Sequence, residues 1–462
     1  NVSRYLDALS YENVNDPGVR AALRAYRGFC NHHAWQFAEE IRDGLGTAII
    51  YRDVVGNLLR LLQESPVSTL GRSLVSPVTG ILEGRTHKQR GAGDSLIERL
   101  SPEGDCPACL SLAQSSWLYL DTLLVHRFDE EMRNRYLSSA GLCVPHLALA
   151  AARLPSLDGF EILAEPCLVR LSQTSEGNPG QVRADTSRAT ETLAGKCGGV
   201  LPVGRPETGE VQESEREVAR EAIDSLGWEK ASGCVICRLT SAALDGWLAS
   251  LPAQVGREAE LRNQLGQSRG LCNRHTWRLA EVSSYTLASG HWQPALAQVA
   301  EALRPAADAR NVPASSLWSG LGSWLSSDAR GRASAMASRL WPQAPCPACE
   351  YQAAVEEAAL SRLLEGPVET ELAASAEGGP TGLCLPHFLL ALRLPMESTQ
   401  WRATLVSSQI SLWGDLYDDL DRYVYKHDYR FRDRPWGKEI DAPWRAIALM
   451  AGAKGVRGVA NL

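Results

Sequence analysis

The chain is 462 residues long and 44% hydrophobic, with 47 basic and 54 acidic side chains for a net charge of −7. That length is a prior of about three domains, and the acidic balance argues against a surface given over to a polyanion. No apolar run reaches the roughly 18 residues needed to cross a membrane, and the opening residues do not read as a signal peptide.

Residues 1–95 form the first expected module, A1. Tyr5, Leu6 and Leu9 lie on a first helix, and Asp16-Pro17 opens a second, with proline at a helix-starting position. The signature Gly28-Phe-Cys30-Asn-His-His33 follows, then a helix carrying Trp35, Phe37 and Ala38 that Gly44 interrupts. Thr47 to Leu62 reads as another helix, with Ile49, Val54, Leu58 and Leu62 in one stripe. Residues 84–95, rich in Gly, Arg and Lys, read as a loop.

Module B1 spans 96–171. It opens with Cys106-Pro-Ala-Cys109 and closes, after 33 intervening residues, with Cys143-Val-Pro-His146. Leu110, Ala113, Trp117, Leu120 and Leu124 fall at helical spacing just after the second cysteine. A shorter helix is expected from Asp129 to Leu137. Pro145 suits the first turn of a third helix, on which Cys143 and His146 face the same way.

Residues 172–215 are poor in large apolar side chains and rich in Gly, Ser, Thr, Pro and Glu, the composition of a flexible linker. Module A2, 216–340, holds Cys234, Cys237, Cys272 and His275, and a helix from Gln293 that Pro305 is expected to end. Module B2, 341–424, holds Cys346, Cys349, Cys384 and His387 and a long helix over 400–424 with Leu405, Ile410, Leu412, Leu416 and Leu420. The tail, 425–462, alternates Lys426, Arg430, Arg432, Arg434 and Lys438 with Tyr425, Tyr429, Phe431 and Trp436. Such interleaving can stack nucleic-acid bases, but Asp428, Asp433, Glu439 and Asp441 dilute the charge. Docking on the protein's own surface is the leading expectation for the tail, ahead of a partner-binding tail and a nucleic-acid site.

Ten of the 12 cysteines fall in these signatures. Pairing each Cys-x2-Cys with the Cys-x2-His that follows it gives three Cys3His sets, the ligand count of a closed structural zinc site. They are Cys106, Cys109, Cys143 and His146; Cys234, Cys237, Cys272 and His275; and Cys346, Cys349, Cys384 and His387. Cys30 and His33 are left as an incomplete fourth site, with no Cys-x2-Cys before them. Spacing from Leu6 and from Cys237 places the missing second cysteine six residues ahead of Asn1, so the expectation is that the chain lacks its true start. Three thiols per module cannot close as disulfides within it, and cysteine-rich metal sites point to a reducing compartment, the cytoplasm. Cys167 reads as a core thiol and Cys197 as a linker residue.

The modules are of two kinds. Cys30-Asn-His-His33-Ala-Trp35 matches Cys272-Asn-Arg-His275-Thr-Trp277, while Cys143-Val-Pro-His146 matches Cys384-Leu-Pro-His387. Offsets of 242, 240 and 241 residues relate Cys30 to Cys272, Cys106 to Cys346 and Cys143 to Cys384. The expected fold is therefore all-α, four helical Cys3His metal-binding modules in a tandem duplication of order ABAB.

The Asp16-Pro-Gly-Val-Arg20 segment, the Gly28 to His33 signature and Gly44-Leu-Gly-Thr-Ala-Ile49, together with the Cys-x2-Cys pairs, resemble an uncharacterised bacterial family of cysteine-rich helical proteins. The likeness is firmest in A1 and in His427 to Gly437. The resemblance implies the modules and no reaction.

Closed Cys3His sets leave no position for a catalytic water, and the sequence shows no nucleophile elbow, phosphate loop or paired carboxylates in a setting for catalysis. The expectation is a non-enzymatic, zinc-stabilised scaffold or protein-binding module with three complete sites and a fourth in question, its partner another protein. The alternative is electron transfer through iron–sulfur clusters on the same ligands. Thiol redox chemistry at Cys-Pro-Ala-Cys lacks the βαβ context that such motifs keep.

Overall fold

A computed structural model of the chain describes residues 2–64, 92–172, 179–198, 211, 213–226, 233–283, 292–309, 328–365, 381–394, 399–431 and 433–456. Among these the architecture is all-α, and the one extended pairing is a parallel ladder of β1 (Gly233–Cys234) with β2 (Thr381–Gly382). By contacts the chain divides into two compact units. The first holds Asn1–Leu112, Arg216–Ala242 and Val355–Leu462; the second holds Ala113–Glu215 and Ala243–Ala354.

In the first unit α1 (Val2–Ala8) continues through one wider turn, and α2 (Pro17–Tyr26) starts where Asp16 accepts the Val19 N–H at 2.8 Å, with Pro17 in the first turn. It ends on Arg27, left-handed at φ 68, whose N–H returns to the Leu23 and Arg24 carbonyls. Gly28 follows at φ 102, a conformation that suits glycine. Next come α3 (Asn31–Gln36), α4 (Gly44–Gln63) and α5 (Ala92–Leu100), the last beginning inside the stretch 84–95 expected as a loop.

Val54, Leu58 and Leu62 bury one face of α4 as the sequence pattern requires, with Ile50 rather than Ile49 completing it. Against that face lie α19 (Thr399–Lys426) and α20 (Ala442–Ala451), while α18 (Leu385–Arg393) packs on α5 and α20. Closeness of α4 and α19 depends on Gly56, where an added Cβ would sit 2.9 Å from the Tyr417 ring.

In the second unit α8 (Val144–Arg153) packs on α16 (Asp328–Leu340), and α9 (Phe160–Ser172) and α13 (Ala259–Gln267) pack on α15 (Gln293–Ala309). Leu147, Leu163, Leu248, Leu265, Trp292, Val299 and Met336 fill the space between them. Helix α15 runs through Pro305 to Ala309, so the proline does not end it as expected. A proline near a helix end forfeits a single ladder bond, and the last turn survives.

Of the stretch 172–215, expected as a flexible linker, residues 173–178, 199–210 and 212 lie outside the described residues. The expectation is corrected over α10 (Pro179–Ala194), which packs on α8 and α9 and buries Ala189, Thr190, Leu193 and Ala194. Small side chains there form a close-packing face, so the shortage of bulky residues does not mean disorder. Helix α11 (Glu213–Leu226) belongs mainly to the first unit.

The aromatic tail folds onto the end of α19. Tyr425 stacks on Phe431 at 4.0 Å between ring centroids, and Trp436 lies 5.2 Å from Tyr423 and 5.3 Å from His427. Arg434 sits over the Tyr425 and Phe431 rings, and Lys426 pairs with buried Glu439. Tyr425, Phe431, Trp436, Lys426 and Arg434 of the alternating segment are thus engaged within the protein, while Tyr429 is exposed; Arg432 lies outside the described residues.

Candidate metal centres

Among the described residues three sets of thiols and one imidazole converge, each with all candidate ligand atoms within 4.8 Å of one another. The sets are Cys30, His33, Cys106 and Cys109; Cys272, His275, Cys346 and Cys349; and Cys234, Cys237, Cys384 and His387. The expected number is met. Every expected pairing is replaced: Cys106 and Cys109 join the Cys-x2-His before them, not Cys143 and His146, and the same holds for Cys346 and Cys349. The Cys234–Cys237 pair reaches past both to Cys384 and His387, and Cys30 and His33, expected to be incomplete, are completed.

The physical reason lies in the helices between the signatures. Helix α6 (Pro107–Val125) has 19 residues, a rod of about 28 Å at 1.5 Å per residue. The eight residues of α7 (Glu130–Leu137) are too few to retrace it. Helices α12 (Val235–Arg257) and α17 (Pro347–Glu365) carry the chain away from their cysteines in the same way. Partners therefore come from elsewhere in the sequence.

In the first centre Cys30 occupies the N-cap of α3 with extended backbone, and His33 lies one turn on. Their Sγ and Nδ1 atoms are 3.2 Å apart; Cys109 Sγ is 3.7 Å from Cys30 Sγ and 3.4 Å from His33 Nδ1. Cys106 precedes α6, and the Cys30 N–H donates to its Sγ at 3.4 Å. Arg27 brings these two strands of chain together. Its guanidinium donates to the Arg99 carbonyl at 2.6 Å and the Leu100 carbonyl at 3.2 Å, at the C-terminal end of α5. The Glu103 N–H bonds the Ala25 carbonyl at 2.8 Å.

The second unit repeats the arrangement. Cys272 caps α14 (Asn273–Val282), its N–H donates to Cys346 Sγ at 3.2 Å, and His275 Nδ1 lies 3.4 Å from both Cys272 and Cys349. Arg269 donates to the Arg339 carbonyl, and the Gln343 N–H bonds the Gln267 carbonyl at 2.8 Å. His275 Nε2 faces Gln352 Oε1 at 3.1 Å, a contact that fixes the ring with Nδ1 toward the sulfurs.

The third centre, in the first unit, is the most enclosed. Cys384 and His387 have no exposed surface, and the ladder of Gly233–Cys234 with Thr381–Gly382 aligns the two signatures. Cys237 Sγ is 3.5 Å from Cys384 Sγ and 3.4 Å from His387 Nδ1, and His387 Nε2 lies 3.6 Å from the buried Glu356 carboxylate. The Ala453 N–H donates to Cys237 Sγ at 3.3 Å.

Asn31, next to ligand Cys30, positions that last donor. Its Nδ2 donates to the Ala451 and Ala453 carbonyls, each at 2.8 Å, and its Oδ1 accepts the Gly455 N–H at 3.0 Å. Trp35 adds an indole bond to the Gly452 carbonyl at 2.9 Å. Asn273 and Trp277 make the same bonds to residues 194–198. Asn and Trp stand at matching places in both Cys-Asn-x-His signatures, yet nothing in the sequence says which backbone they hold.

The electrostatics are those of sites that exchange protons for a cation. Burial raises the Cys106 thiol, but hydrogen bonds from Cys109, Cys30 and His33 outweigh it and hold this group well below its ordinary value. Its neighbours stay protonated: a hydrogen bond to Cys106 is the main reason the Cys30 thiol is pushed up to about 12. In the second unit hydrogen bonds from Cys346 and Cys349 hold Cys272 well below the usual thiol range. A dication draws the remaining thiols into thiolates.

Cys143 and His146 stand apart from the three sets. Cys143 caps α8, with Sγ 3.1 Å from His146 Nδ1. Burial pushes the Cys143 thiol up to about 11 and lowers the imidazole, so both favour their neutral forms. Cys167 is wholly buried in α9 and Cys197 is exposed, neither within a cluster of the described residues. His87 and His291 lie outside the described residues. No curated protein and no solved structure matches the chain. What does match, over residues 2–157 and so across the first centre and the Cys143–His146 pair, is a family of unknown function, DUF6062.

Proposed function

We propose that the chain is a non-enzymatic helical scaffold or protein-binding module, built as a tandem duplication and held together by three structural zinc ions. The observation that carries this reading is the size of the ligand cages. A tetrahedral zinc with bonds of about 2.3 Å to sulfur and 2.0 Å to nitrogen separates its ligands by about 3.5–3.8 Å. Sulfur–sulfur distances of 3.5–3.7 Å and sulfur–nitrogen distances of 3.2–3.7 Å fit that polyhedron. A four-iron cluster puts each ligand on its own iron and spreads the sulfurs to about 6 Å or more.

Each ion ties signatures that lie more than 70 residues apart in sequence. Structural zinc contributes apparent binding energies of about 10–16 kcal/mol, so the sites would supply much of what holds such distant segments. Four protein ligands per cage leave a tetrahedral ion no open coordination position, which supports a structural role and not catalysis. No helix among the described residues is long and apolar enough to cross a membrane, and the cytoplasm is the compartment that suits reduced thiols. The matching bond sets around Asn31 and Asn273 support descent from one duplicated pair of modules.

The test is metal analysis with the visible spectrum of protein purified without oxygen. Three equivalents of zinc and a colourless solution support the reading. Iron with labile sulfide and a brown colour supports electron transfer instead.

A further inference from the structure

Cys143 and His146 have the form of one half of a centre. Cys143 caps α8 with Sγ 3.1 Å from His146 Nδ1, as Cys384 caps α18 with Sγ 3.2 Å from His387 Nδ1. Both signatures put proline in the first helical turn. The scaffolding matches as well. Helix α18 packs on α20, whose end is pinned by Asn31 and Trp35; α8 packs on α10, whose end is pinned by Asn273 and Trp277.

In the complete centre the pinned loop gives the Ala453 N–H to Cys237 Sγ. The residue in the corresponding place of the other loop is Lys196, whose carbonyl accepts from Asn273 at 2.8 Å as the Ala453 carbonyl accepts from Asn31. What differs is the cover. Cys384 and His387 are fully buried beneath β1 and the start of α12, while Cys143 and His146 keep partial exposure and residues 140–142 carry no strand partner among the described residues.

We propose that Cys143 and His146 are the preformed half of a fourth Cys3His zinc centre, completed by the two thiolates of a Cys-x2-Cys segment that lies beside residues 140–141 as β1 lies beside β2. This rests on the zinc reading of the three complete cages. The two cysteines outside all four signatures do not fill the place. Cys167 is sealed within α9 and Cys197 is exposed, and neither comes within 4.8 Å of both ligands.

The experiment titrates Co(II), whose tetrahedral thiolate complexes absorb in the visible, into metal-free chain with and without a peptide of residues 230–241, which contains Cys-Val-Ile-Cys. Peptide alone is the blank. The expected result is three equivalents for the chain and a fourth with peptide, the fourth lost in Cys143→Ser while the first three remain. Serine is a good N-cap, so this variant keeps α8. No fourth equivalent with peptide, or one that survives Cys143→Ser, overturns the proposal. So does a fourth equivalent without peptide that Cys167→Ser or Cys197→Ser removes. Failure to find the first three equivalents would instead overturn the zinc reading of the cages.

Discussion

Replacing Asn31 with alanine tests how the first unit couples its two centres. The side chain is buried and makes three good bonds, two donated to the Ala451 and Ala453 carbonyls and one accepted from the Gly455 N–H. At about 1 kcal/mol each the loss is about 3 kcal/mol, rising to about 5 kcal/mol if the orphaned carbonyls stay dry. The loop carries the N–H that bonds Cys237, so on the proposed zinc reading a looser loop should also weaken that residue's hold on an ion. Urea unfolding of the metal-loaded protein should show the midpoint fall, and a chromogenic chelator should take one of three zinc equivalents faster than from the parent. Asn31→Asp should cost more, since it sets carboxylate oxygen against two carbonyls. A loss below about 1 kcal/mol with unchanged metal release would refute the reasoning.

Gly56→Ala should destabilise by about 1–3 kcal/mol, because its methyl would press on Tyr417 and part α4 from α19, whereas Gly246→Ala, with open space around it inside α12, should stabilise by about 0.5–1 kcal/mol; thermal unfolding of the two variants reads both signs. Trp292→Ala should cost about 3–5 kcal/mol, since the ring is 2% exposed in the core of the second unit, measured by the urea midpoint. Hydrogen bonds from Lys426 and the Gly437 N–H hold the Glu439 carboxyl down at about 2. A depressed carboxyl stabilises above its unfolded value of about 4.5 and loses that contribution as the pH falls toward 2. Glu439→Gln should therefore flatten the acid limb of the stability curve; an unchanged limb counts against the pair.

That Cys-x2-Cys and Cys-x2-His signatures would gather into Cys3His clusters was legible in the sequence because the motifs are short and their chemistry is local. Cys143 and His146 share the first turn of a helix as the spacing implied, and the stripe of Val54, Leu58 and Leu62 is buried as its period required. Partnership was not legible, since it depends on where rigid helices such as α6 point, and a one-dimensional pattern favours the nearest neighbour. Nor could the sequence show that the Arg27 and Arg269 guanidiniums clasp helix ends 70 or more residues away. Helix α10 within 172–215 was not legible because composition stands for packing only when bulky residues do it. Alanine and threonine at 189, 190 and 194 pack by closeness.

Zinc content of single-cysteine variants, measured by mass spectrometry after dialysis against a competing chelator, reaches the centre of the account. Cys30→Ser and Cys106→Ser should each drop the content from three to two, and the double variant should stay at two because both belong to one cage. Cys143→Ser should leave three. Loss of a metal in Cys143→Ser, or a double variant that falls to one, would contradict the pairing the structure shows.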